Sequence, residues 1–215
     1  MMKIFIIIFI FFIFFQSTFA SEKEKDVQIC NYQTWDWDIK QKKATNYKNI
    51  SKPKINLSKE EKGNIEGCSV CEEDQLEIKI KNIKPFKICK RFHQQIIIAL
   101  TKAVNEGFEI NTIIGYRVGK TKGNLDKEGK RTQFSNHSYG IAIDINSEKN
   151  GLYNNCLVFN KKCNLIQGGK YNPFEKGSVT KESPVYKAMI DIGFKWGGEI
   201  KGNQKDFMHF SIDGM

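Results

Sequence analysis

The 215 residues are enough for one domain with a substantial core. The formal net charge is +10, or +9 once Lys3 is set aside with the leader described below. That balance favours anionic partners, either nucleic acid or an anionic envelope polymer, but the lysines are scattered and single out neither.

The chain opens with an apolar run of 12 residues, Ile4 to Phe15, behind Lys3, then turns polar at Gln16 and Ser17 and reaches Thr18-Phe19-Ala20. This is the pattern of a secretory signal peptide, residues 1–20, with cleavage expected after Ala20. The run is short for a bilayer span of about 20 residues, so no stable membrane insertion is expected after cleavage; an uncleaved anchor is the alternative. No Cys follows the run closely, which gives no sign of a lipid-anchored product. Export to the periplasm or the extracellular space makes an envelope polymer the better anionic partner and argues against nucleic acid.

Residues 21–84 form a Lys-rich, Cys-containing extension ahead of a main domain at 85–215. Trp35 and Trp37 alternate with Asp36 and Asp38, suiting a short strand or an anchor laid over that domain. Pro53 and the stretch Glu60 to Gly67 argue against long regular structure. Leu76, Ile78 and Ile80 predict a short strand. From Pro85 onward, Ile88, Phe92, Ile96, Leu100 and Val104 recur near helical spacing and predict a core helix over 86–106, stopped by Gly107. Phe108 to Ile114 reads as a strand, and 118–136 as a long loop of the functional or mobile kind. Ile141, Ile143 and Ile145 alternate with Ala142, Asp144 and Asn146, which predicts a strand with an inward Ile face and Asp144 opposite. Residues 147–181 look irregular. A helix opens at Pro184 and breaks at Gly193, and Phe207 to Ile212 reads as a last strand carrying His209.

All six cysteines lie beyond the leader, which in an oxidising compartment predicts up to three disulfides. Cys156 and Cys163 flank a short polar loop and suit a local pair. Cys68-x-x-Cys71 reads as a redox pair, half a metal site, or two cysteines bonded to Cys30 and Cys89. No zinc-finger spacing and no phosphate-binding glycine loop is present.

Only three His occur, His93, His137 and His209, and two stand near carboxylates: His137 before Asp144, and His209 after Asp206. A catalytic zinc site wants three protein ligands and an open position, which two imidazoles and one carboxylate supply. The remaining carboxylate can then handle the proton of water. The competing reading, loop histidines beside strand-end acids, stays open on spacing alone. His93, inside the predicted helix, reads as a packed or surface residue.

Four blocks in order, G-Y-R at 115–117, S-N-H-S-Y-G-I-A-I-D at 135–144, G-F-K-W-G-G at 193–198 and K-D-F-M-H-F at 205–210, resemble the VanY-like D-alanyl-D-alanine carboxypeptidase and L-alanyl-D-glutamate endopeptidase family of zinc peptidases. The resemblance runs over about residues 86–212. It implies an α+β fold in which a small antiparallel sheet carries the zinc site and is packed with helices. It implies Zn2+ as cofactor, held by His137, Asp144 and His209, with Asp206 as catalytic carboxylate and Arg117 beside the scissile carbonyl or a substrate carboxylate. Tyr116, Arg117, Ser138, Tyr139 and Trp196 are then candidate substrate contacts, the partner a peptidoglycan peptide, and the working form a monomer. Relatives often carry Ser and Gln after the arginine. Here Val118 and Gly119 follow, and Gln133 either serves instead or the contact is absent. Two other readings are a zinc-containing wall-binding domain without turnover and a metal-free, cysteine-stabilised basic protein that binds a surface.

Overall fold

A computed structural model describes residues 27–214, so the expected leader lies outside the described residues. Strand β1 (Ile29–Asp38) turns back into β2 (Lys43–Pro53) as a long antiparallel hairpin. The expectation of an irregular extension is therefore corrected. Pro53 ends its strand, where a missing N–H is tolerated. The single-turn helix α1 (Lys59–Lys62) follows, held by a capping box between Ser58 and Glu61. Its Glu61 is buried against Tyr32 of β1 and Lys52 of β2.

β3 (Gln75–Ile78) and β4 (Phe86–Cys89) pair antiparallel, and α2 (His93–Asn105) comes after them. The helix predicted from residue 86 thus begins at His93. Phe86 and Ile88 are buried by strand alternation, and Cys89 is bonded to Cys68. Ile88 and Phe92 only mimic the helical spacing. The helix buries Ile96, Ala99, Leu100 and Ala103, whereas Val104 faces out.

Of the segment expected as a strand, only β5 (Ile113–Ile114) pairs. Phe108 closes the helix end onto the Ala103 carbonyl, and the N–H groups of Asn111 and Thr112 donate to the Asn146 side chain. The predicted long loop is instead a hairpin of β6 (Val118–Leu125) and β7 (Arg131–Phe134). β6 also runs parallel to β1, which gives a mixed sheet of order β2-β1-β6-β7.

The rest of the chain supplies β8 (Ala142–Ile145), β9 (Leu152–Asn154), β10 (Asn164–Gln167), α3 (Pro184–Asp191), β11 (Lys195–Trp196), β12 (Gln204–Asp206) and β13 (His209–Ser211). Two more sheets result: β10-β9-β12, and the antiparallel β11-β13-β8-β5. Ile143, Ile145 and Phe210 turn one face of the latter into the core, where Ile96, Leu100, Val185, Met189 and Phe194 meet them. Each such side chain contributes about 1.5–3 kcal/mol on burial. The fold is α+β, as expected, but with mixed sheets and modest helix: among the described residues α2 and α3 pack against the antiparallel sheet, and α1 adds a single turn. Among the described residues no helix is long and apolar enough to cross a membrane.

The cysteines pair as Cys30–Cys71, Cys68–Cys89 and Cys156–Cys163. Cys30, Cys71 and Glu73 also lie close together, but both thiols are consumed in the disulfide.

Candidate metal centre

Three local structures bring the site together. β8 and β13 pair so that Asp144 stands directly opposite His209. His137 comes from a 3-10 turn, Asn136–Tyr139, that leads into β8. Gly140 closes this turn with φ +62, a left-handed conformation that suits glycine, and its carbonyl accepts from the Cys89 N–H. The Gly115-Tyr116-Arg117 segment grips the turn from the other side. The Arg117 N–H donates to the His137 carbonyl at 3.1 Å, and the Gly115 carbonyl lies 2.8 Å from His137 Nδ1.

His137, Asp144 and His209 each present a ligand atom within 4.8 Å of the other two, and all three are buried. A carbonyl can only accept, so the Gly115 contact puts the proton of a neutral His137 on Nδ1 and leaves Nε2 as a bare acceptor. Yet Nε2 faces Asp144 Oδ1 at 3.1 Å, and His209 Nδ1 approaches the same oxygen at 3.0 Å. Burial pushes the His137 imidazole pKa down, toward the neutral ring. Burial would also raise the Asp144 carboxyl, but the charges and hydrogen bonds of His137 and His209 outweigh it and hold the group well below the usual carboxylate range. A neutral ring's lone pair turned toward an ionised carboxylate calls for a cation between them. Two nitrogens and one carboxylate oxygen suit zinc. The donor set fits the metal.

Asp206 sits at the end of β12, three residues before His209, and is 8% exposed. Its Oδ1 and the Nε2 of His209 are buried without a hydrogen-bond partner, a costly state that a bound ligand would relieve. Burial pushes the Asp206 carboxyl up to about 7; His209 opposes this rise, Asp144 adds to it, and Arg117 opposes it. The same groups that mark the metal cluster thus act on Asp206. Arg117 is partly exposed and reaches Asp144 Oδ2 with Nη2 at 3.4 Å, while its guanidinium carbon lies 6.0 Å from the Trp35 ring centroid.

The other candidate contacts are drawn away from the cluster. Ser138 is fully buried, and its hydroxyl bonds both the N–H and the carbonyl of Gly119. The Tyr116 hydroxyl donates to the Val70 carbonyl, and that of Tyr139 to the Glu60 carbonyl. Trp196 is buried against Tyr186 and Phe207, with its indole N–H on the Phe207 carbonyl. The polar groups of these four side chains are thus engaged within the protein, whereas the Arg117 guanidinium keeps donors available. Gln133 is exposed on β7, beside Gly123. His93 bonds the Glu77 carbonyl and lies outside the cluster. Sequence reasoning missed the Gly115 carbonyl, because a backbone acceptor leaves no residue signature, and it left Trp35 unconnected to Arg117.

A family profile described as D-alanyl-D-alanine carboxypeptidase matches residues 128–212, a span that holds the three clustered residues and Asp206 but not Tyr116 or Arg117. The peptidoglycan L-alanyl-D-glutamate endopeptidase CwlK of Bacillus subtilis is 27% identical over 120 residues, covering 51% of this chain and 64% of that relative. No solved structure matches the chain significantly. Both similarities are partial, and the profile match spans the segment that carries His137, Asp144 and His209.

Proposed function

We propose that this protein is an exported zinc peptidase that hydrolyses peptide bonds in the stem peptides of peptidoglycan. The observation that carries the reading is the buried His137–Asp144–His209 cluster with the buried Asp206 carboxylate, its Oδ1 without a partner, beside it. The names of the similar proteins support the substrate class. We further propose residues 21–84 as an extension and residues 85–215 as the peptidase domain, a monomeric working form, and an envelope or extracellular location that follows from the leader.

In this reading His137, Asp144 and His209 hold zinc, which when bound supplies Lewis acidity toward water and the scissile carbonyl. The chain's own residues do the rest. Asp206, a buried carboxylate beside the cluster, accepts a proton from the attacking water and returns it to the leaving amine. Arg117 offers charge-assisted hydrogen bonds to the carbonyl oxygen as it gains charge, or to a substrate carboxylate next to it. The Gly115 carbonyl and the Arg117 N–H fix the His137 ring and its backbone before any ligand arrives.

The test is mass analysis of purified peptidoglycan digested by the oxidised mature protein, with zinc and with chelator. Zinc-dependent loss of one terminal D-alanine identifies a carboxypeptidase. Two fragments from an internal bond identify an endopeptidase. No zinc-dependent product from walls of varied stem-peptide chemistry rejects the proposal.

A further inference from the structure

The N-terminal hairpin reaches the arginine side of the site. β1 and β6 run parallel with Trp35 opposite Gly119, two residues beyond Arg117. A Cβ at Gly119 would fall 2.3–2.6 Å from atoms of the Trp35 indole, so the ring lies against bare backbone that no other residue type would leave open. Arg117 then has an aromatic ring on one side, 6.0 Å from its guanidinium carbon to the centroid, and Asp144 on the other, 3.4 Å from Nη2.

Other features fix Trp35 where it is. The β1–β2 register shifts between Thr34 and Asp36, so that Asn46 and Tyr47 together stand opposite Trp35, the extra residue lying on β2. The Cys30–Cys71 disulfide ties β1 to the segment whose Val70 carbonyl holds the Tyr116 hydroxyl, and Tyr116 is the chain neighbour of Arg117. Trp37, tilted edge-on to Trp35 at 6.3 Å between centroids, backs the ring. Strand pairing, a covalent link and a side-chain bond thus all converge on one guanidinium.

We propose that Trp35 is a positioning residue of the active site: it holds the Arg117 guanidinium against rotation, so the N-terminal extension completes the part of the site that receives a substrate carbonyl or carboxylate. The proposal rests on the reading of Arg117 as a substrate-binding group. A planar guanidinium against an aromatic face keeps its charge and its outer N–H edge while losing rotamer freedom. That pre-orders the donors for a bidentate contact. The same packing gives a physical reason for Gly119 at this position: any side chain there would displace the indole.

The experiment uses the full mature protein with disulfides intact. Trp35→Phe keeps an aromatic face, whereas Trp35→Leu keeps apolar cover over Gly119 without one. In the metal-free protein, the Arg117 Hε resonance is expected upfield in the wild type and in Trp35→Phe, and back at its ordinary position in Trp35→Leu. With zinc and a stem peptide, Trp35→Leu is expected to lower kcat/KM about fivefold to tenfold, mostly through KM, and Trp35→Phe to restore most of it. Trp35→Leu combined with Arg117→Ala should be no worse than Arg117→Ala alone. An Arg117 resonance that ignores Trp35→Leu, or losses that add in the double variant, would overturn the proposal. If the wild type cuts no stem peptide, the peptidase reading fails on its own, and the Hε shift still decides whether Trp35 holds Arg117.

Discussion

Gly197 and Asp206 approach so closely that a Cβ on Gly197 would lie 2.4 Å from the Asp206 carbonyl oxygen and 2.9 Å from its Cβ. The glycine after Trp196 therefore sets how closely the Asp206 backbone can pack on the turn Gly197–Glu199. An Asp is one methylene shorter than a Glu, so a carboxylate in this role depends on its backbone being held in place.

Gly197→Ala is expected to push Asp206 outward. Overpacking against backbone costs about 1–3 kcal/mol of stability. Displacing the carboxylate by part of an ångström should lower kcat about 10- to 100-fold. Zinc content should be unchanged, because the three ligands come from other positions. Denaturant melts, metal analysis and turnover on one protein sample separate these effects.

Asp206 also predicts a pH signature in the metal-free protein. Its folded pKa is raised from 3.8 to about 7. A raised acid contributes stability that is fully present below its unfolded value and is lost as pH rises through about 7. Chelated wild type should thus lose on the order of a few kcal/mol between pH 4 and pH 8 through this group, and Asp206→Asn should not. With zinc, Asp206→Asn should keep the metal and lose at least about 100-fold in kcat. Urea titrations at the two pH values check the first statement, and metal analysis with turnover the second.

Removing a ligand should act through the metal instead. Zinc at about 1,000 times its dissociation constant stabilises the folded protein by about 4 kcal/mol. His137→Ala, Asp144→Ala and His209→Ala should each abolish the rise in melting temperature that zinc gives the chelated wild type. Differential scanning calorimetry with stepwise zinc addition reads this directly. A full zinc shift in any of the three would remove that residue from the ligand set.

The disulfides should differ in weight. Cys30–Cys71 closes 41 residues and Cys156–Cys163 only 7. Loop entropy alone makes losing the former more costly by about 1.5 kcal/mol. Paired Cys→Ser variants, unfolded in urea under non-reducing conditions, test this ranking.

The three-residue cluster was legible because His137, Asp144 and His209 sit in flanks whose order carries information, and because β8 shows its Ile alternation plainly. β6 was not legible. Val118 to Leu125 is mostly Gly, Lys and polar residues, and its partner β1 lies more than 80 residues earlier, so no local period announces the pairing. Helix α2 was placed too early because Ile88, in a strand, keeps step with the helical residues after it. Ser138, Tyr139 and Tyr116 stand next to motif residues in the sequence. Sequence adjacency does not tell which way a hydroxyl turns, and all three turn to backbone.

The parallel pairing of β1 with β6 also bears on how the chain can be cut. A fragment starting near residue 85 would keep all five proposed catalytic and ligand residues, yet it would strip β6 of its neighbour along Val118 to Lys120. The bared edge would then carry unpaired N–H and carbonyl groups beside Val118 and Phe134, which the hairpin side normally covers. Such an edge is a template for joining other chains. A shortened protein of this kind would tend to self-associate even with its metal cluster intact, and its insolubility would say nothing about the chemistry of the site.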